Sequence, residues 1–202
     1  MNAMPRHSLL SLAIIAAAVA TAGCSDFIRQ DRSPVTLVID RLEAASGASG
    51  ASATFGATLQ SDVITVVDTA PTVFSDSGRV TMRLIMKDIL SAPTAVNAVT
   101  INRYRVTFRR SDGRNTPGVD VPQPFDSAVT FTVAPGSTVS HTFELIRHIA
   151  KFEAPLRALA TNQSVTISTV ADVTFFGSDQ AGHELSAAGS IGVAFGNFGD
   201  PD

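Results

Sequence analysis

Residues Arg103-Tyr104-Arg105-Val106-Thr107-Phe108-Arg109 alternate polar and apolar side chains without a break. In an extended chain successive side chains point to opposite faces. This stretch therefore turns Tyr104, Val106 and Phe108 toward a core and Arg103, Arg105, Thr107 and Arg109 toward water, the signature of a half-buried strand. The pattern recurs on both sides. Val80, Met82, Leu84 and Met86 alternate with Arg79, Thr81, Arg83 and Ile85. Val129, Phe131 and Val133 alternate with threonines, and Val139, His141, Phe143 and Leu145 with Ser140, Thr142 and Glu144. Val165, Ile167, Val173 and Phe175 read as one long strand, and Leu185, Ile191, Val193 and Phe195 as the last. Earlier candidates are 35–42 and 56–67. Short strands of this kind, separated by Gly, Pro, Asn and Asp, predict an all-β sandwich of about 7–9 strands.

Departures from the alternation are informative too. Between Ile101 and Tyr104 the apolar phase slips by one residue, which predicts a β-bulge near Asn102-Arg103. Ile149, Phe152, Leu156 and Leu159 have helical spacing, with Pro155 suited to a first turn, so one short helix is expected there. The run of Ala, Ser and Gly over 44–53 reads as a flexible loop.

Composition bounds the function. The 202 residues carry a net charge of −3, which argues against a nucleic-acid partner. A single cysteine excludes an internal disulfide framework and a Cys-rich metal site. The 45% hydrophobic content is that of a folded body.

The N-terminus has a positive Arg6 followed by an apolar run from Leu9 to Ala22, interrupted only by Ser11 and Thr21. This is short for a bilayer span, which takes about 20 residues, and it reads as an export signal over 1–23. The run closes on Thr21-Ala22-Gly23-Cys24, whose cysteine is the only one in the chain. Here the sequence resembles a bacterial lipoprotein precursor. The resemblance implies lipidation of Cys24, which becomes the new N-terminus and anchors the protein to a membrane. By the same resemblance, Ser25 after the cysteine implies sorting to the outer membrane. Residues 24–34 are polar and read as a tether, 35–199 as the folded body, and 200–202 as a tail.

Near the C-terminus, Asp179, Ala181 and Gly182 lie in a segment, 176–185, that resembles the last hairpin of bacterial immunoglobulin-like domains. The resemblance implies a Greek-key arrangement and no activity. His183 stands where Asn is usual. Asp179 would shape the turn, and Gly182 would take its positive-φ position.

Chemistry is sparse. His141 is in phase with Val139 and Phe143 and reads as a packed histidine; His141 and His148 lack metal-ligand spacing. Nucleophile-elbow, zinc-protease and phosphate-loop motifs are missing, so no catalytic residue, cofactor or metal is assigned. Asp112 and Asp120 fall short of a calcium loop and read as turn residues. The most pointed feature is arginine. If the strands carrying Arg79 and Arg83 and Arg103, Arg105 and Arg109 pair as a hairpin, the five share one solvent face suited to phosphate or acidic partners. The expected function is an exported, lipid-anchored envelope module with a structural or protein-binding role. The alternatives are an anionic lipid or polysaccharide binder using the arginine face, or an envelope enzyme centred on a histidine.

Overall fold

The alternating stretches fold as strands. The computed structural model describes residues 32–198; the proposed signal segment, Cys24, most of the tether and the 200–202 tail lie outside the described residues. The strands are β1 (Val35–Ala45), β2 (Thr58–Asp62), β3 (Thr65–Val67), β4 (Ala70–Thr72), β5 (Asp76–Met86), β6 (Val99–Arg109), β7 (Phe125–Val133), β8 (Thr138–Ile146), β9 (Ile167–Asp179) and β10 (Glu184–Gly196). They form a three-stranded sheet in the order β1-β5-β8 and a five-stranded sheet in the order β2-β10-β9-β6-β7; β3 and β4 make a small separate hairpin. Paired neighbours are antiparallel except β2, which runs parallel to β10.

The two larger sheets share one core. Val80, Met82 and Leu84 of the first and Tyr104, Val106, Val173, Phe175 and Phe195 of the second are all buried in it. Burying each such aliphatic or aromatic side chain contributes roughly 1.5–3 kcal/mol. Aromatic rings join the layers. Phe143 of β8 meets Tyr104 at 5.0 Å and Phe175 at 5.1 Å between centroids, both edge-on. The Tyr104 hydroxyl donates to the Glu144 carbonyl at 2.9 Å, so one side chain ties β6 to β8 through both its ring and its oxygen. Gly78 makes room for the Phe143 ring: a Cβ there would lie 2.4 Å from its Cζ.

The bulge falls where the phase slips. The register of β6 shifts between Ile101 and Arg103 against both β7 and β9. Asn102 absorbs the extra step, so Ile101 and Tyr104 both face the core.

Several expectations are corrected. The stretch 56–67 is two strands, because Asp62 turns the chain: its carboxylate accepts from the Ile64 amide at 3.4 Å and the Thr65 hydroxyl at 2.9 Å. The segment 44–53 is not simply a loop; Ala44 and Ala45 are buried at the end of β1, and 3-10 turns span Gly47–Ser52. The helical insert is a four-residue helix α1 (His148–Lys151) followed by a separate 3-10 turn, Leu156–Leu159. Leu156 and Leu159 are buried as expected, but Ile149 and Phe152 are 44% and 54% exposed, because no single helix carries all four on one face. Val165 precedes β9 rather than belonging to it. Ser33, assigned to the tether, is buried in the fold.

Candidate functional site

The arginines come first, because the predicted surface depended on how their strands pair. Arg79 and Arg83 lie on β5 and Arg103, Arg105 and Arg109 on β6, and these strands belong to different sheets. The chain crosses from one layer to the other between β5 and β6 instead of turning back as a hairpin. The two groups of arginines therefore occupy the opposite outer faces of the fold, and the five-arginine face does not form.

Each group is also matched by acids on neighbouring strands. Arg79 pairs with Glu43 at 2.9 Å and Arg83 with Asp40 at 2.7 Å, both from β1. Asp40 sits at a register shift in β1, where the extra residue brings its carboxylate toward Arg83. On the other face Asp126 of β7 meets Arg103 at 2.5 Å and Arg105 at 3.9 Å, and Asp172 of β9 meets Arg109 at 2.6 Å. Burial pushes the Asp172 carboxyl up, but hydrogen bonds from Arg109 and Ser190 outweigh it and hold the group below the usual carboxylate range. The Asp172 hydrogen bond in turn raises Arg109. Ion pairs as exposed as these add little to stability, because water screens the charges and the long side chains lose freedom in holding one geometry. They do set a carboxylate beside each of these guanidiniums, which opposes the field that an anionic ligand would feel.

The Arg103 guanidinium also lies over the Phe176 ring, 3.9 Å from its centroid. Beside it a surface depression of about 550 Å³ is lined by Asn102, Arg103, Phe176, Ser178, Gly182 and Glu184. It runs toward the β9–β10 turn. There Asp179, whose side chain is 1% exposed, accepts from the Ser33 hydroxyl at 2.9 Å, from the amides of Ala181 and His183 at 3.0 and 2.9 Å, and lies 2.8 Å from His183 Nδ1. With Asp179 ionised, Nδ1 must carry the proton. Burial raises the Asp179 carboxyl, and the His183 and Ser33 hydrogen bonds overcome that and lower it. Gly182 has a φ of 83°. Asp179 and Gly182 thus take the turn-shaping positions expected of them. Asp179 also reaches further, pinning the point at which the chain enters the fold. No sequence signal linked it to Ser33, 146 positions away.

The histidines stay apart. His141 stacks on Phe131 at 4.5 Å between centroids, as a packed side chain does, while His148 is exposed at the start of α1. In the β6–β7 connection, Asp112 accepts from Arg110 and from the Arg114 amide, and Asp120 from Arg114 and the Thr116 amide. Both carboxylates are used in shaping the turn. Among the described residues no group of three or more His, Cys, Asp or Glu is placed to hold a metal ion.

One polar cluster went unseen in the sequence. Lys151, 3% exposed, places Nζ 2.9 Å from Asp76 Oδ2 and donates to the Asp62 carbonyl at 2.7 Å. Asp76 also accepts from the Ser61 hydroxyl at 2.6 Å and the Gly47 amide at 2.9 Å. The cluster joins α1, β2, β5 and the 3-10 segment after β1. It is closed to solvent, so its role is to hold those elements together. Lysine is almost never fully buried unless paired, and its partner here is remote in sequence.

Compared with protein-family models and with curated proteins, the chain matches none.

Proposed function

We propose that the protein is an exported, lipid-anchored module of the cell envelope with a structural or protein-binding role. We further read its body as an immunoglobulin-like Greek-key sandwich. The repeated crossing of the chain between two sheets, at β5–β6, β7–β8 and β8–β9, supports that architecture.

The observation that carries the functional reading is where the chain enters the fold. Ser33 is clamped to Asp179 at one end of the long β9–β10 hairpin, and only seven residues separate Cys24 from Arg32. An acylated Cys24 would hold that end near a membrane and display the other. The displayed end carries Val67, Val119, Ile149, Phe152 and Val165, each between 41% and 63% exposed. Large apolar side chains left in water at the far end are the material of a partner surface. Anion capture by an arginine face has less support, since the arginines are split between two faces and matched by carboxylates.

Two measurements test the reading. Metabolic labelling with an alkyne fatty acid should mark the wild-type chain and leave Cys24→Ser unlabelled and released from membranes; equal membrane retention of both would refute the anchor. A photo-crosslinking residue at position 152 should give a discrete protein adduct in cells. No adduct there or at position 119 would refute the protein-binding role.

A further inference from the structure

The end of the fold at which the chain enters carries a second unusual feature. Ile89 and Leu90 are 93% and 91% exposed. They are not on a loose strand end. Asp88 accepts from the Leu90 amide at 2.9 Å and the Ser91 hydroxyl at 2.8 Å, and the Ser91 amide donates to the Asp88 carbonyl at 3.1 Å. This turn is locked by its own side chains and holds two large aliphatic groups outward at its tip. Val96, on the neighbouring 3-10 turn Ala95–Asn97, is 58% exposed on the same connection between β5 and β6.

The position of the tip relative to the chain entry identifies its occupant. The Lys87 amide donates to the Pro34 carbonyl at 2.9 Å, so the tip starts beside the entry point. Eight extended steps from Cys24 to Arg32 reach at most about 28 Å. The 13-residue strand β9 spans roughly 40 Å away from that point. A body standing upright on a membrane that holds Cys24 can therefore face it with the Ile89–Leu90 end and not with the opposite one. Two side chains at a tip also supply far less than the about 800 Å² per partner of a stable protein interface, but they suit insertion between lipids.

We propose that the turn of residues 87–91 is a membrane-contacting tip, which places Ile89 and Leu90 in the headgroup–acyl boundary of the bilayer that anchors Cys24. The proposal rests on the anchoring reading. Contact is made by apolar insertion, so it survives high salt.

The full chain, matured in a bacterial envelope, is reconstituted in phosphatidylcholine vesicles carrying a phospholipid with a photoactivatable acyl chain. Trypsin cleaves after Lys87 and Arg103, so the tip is recovered in one peptide, 88–103. That peptide is expected to hold most of the lipid cross-links, at high salt as at low. Ile89→Ser/Leu90→Ser should reduce them roughly tenfold while the acyl group on the Cys24 peptide and the thermal stability are unchanged. Cross-links scattered over the surface, absent from 88–103, or unmoved by the double substitution overturn the proposal. A Cys24 peptide without acyl mass refutes the anchoring reading alone. In that case the chain from Cys24 on, which carries the whole described body, is coupled through its sole thiol to a maleimide phospholipid. The same cross-linking pattern then decides the tip.

Discussion

Replacing Lys151 with Met should be the most damaging single polar substitution in the described fold. The two side chains of the pair are 1% and 0% exposed. Met keeps most of the volume and removes the charge. Asp76 then retains its hydrogen bonds from Ser61 and Gly47 but has no counter-charge, and the Asp62 carbonyl loses the donor at 2.7 Å. Breaking a buried ion pair from one side costs about 3–5 kcal/mol, because the remaining charge stays desolvated. For a domain of this size that is a fall in Tm of roughly 6–20 °C. Equilibrium urea unfolding, followed by circular dichroism, measures the free energy directly. The companion is Lys151→Met/Asp76→Asn. The uncharged amide introduced at position 76 can accept from Gly47 through its oxygen and donate through its nitrogen to the Ser61 hydroxyl oxygen, so the double variant should be more stable than the sum of the single losses allows. A loss below about 1 kcal/mol for Lys151→Met, or strict additivity in the cycle, would refute the buried pair.

Three further outcomes follow from particular contacts. Asp179 has a folded-state pKa below its unfolded value, so its stabilisation is complete above about pH 4 and is lost as pH falls through the lower folded value; Asp179→Asn should lower Tm at pH 7 and flatten its acid dependence between about pH 5 and 2, and an unchanged acid profile would count against the Ser33–Asp179–His183 arrangement. Tyr104 is the only tyrosine and there is no tryptophan, so absorbance near 295 nm reports one phenol. Burial raises that group above its ordinary range, and the folded protein should resist its ionisation until beyond pH 10, with stability falling there; a midpoint at the free-tyrosine value would mean the ring is not in the core. Gly177→Ala should destabilise by about 1–3 kcal/mol in urea, because the added Cβ would sit 2.3 Å from the Thr100 carbonyl oxygen of the adjacent strand, whereas an equally stable variant would show that β6 and β9 are spaced more widely.

Strand identity and facing were legible because they are local. Alternation in β5 and β6 needs nothing beyond the period of an extended chain, and Val80, Met82, Tyr104 and Val106 are buried as it requires. The slip at Asn102 was legible for the same reason. The helical insert was misread because four apolar residues with suitable spacing imply one face only if one helix carries them. The break between α1 and the 3-10 turn at Leu156–Leu159 leaves Ile149 and Phe152 in water.

The candidate surface divides along the same line. The sequence by itself determined that Arg79 and Arg83, and separately Arg103, Arg105 and Arg109, point away from a core, since parity along a strand settles which side a side chain takes. It could not determine whether those two rows share a face, because that depends on which strands pair. Tertiary structure sends β5 and β6 into different sheets and brings Asp40, Glu43, Asp126 and Asp172 against the arginines from strands up to 63 positions away. It also buries Lys151 against Asp76 and ties Ser33 to Asp179. Hydrophobic alternation is written into neighbouring residues, whereas the cancellation of charge is decided across strands, by the register in which distant segments meet.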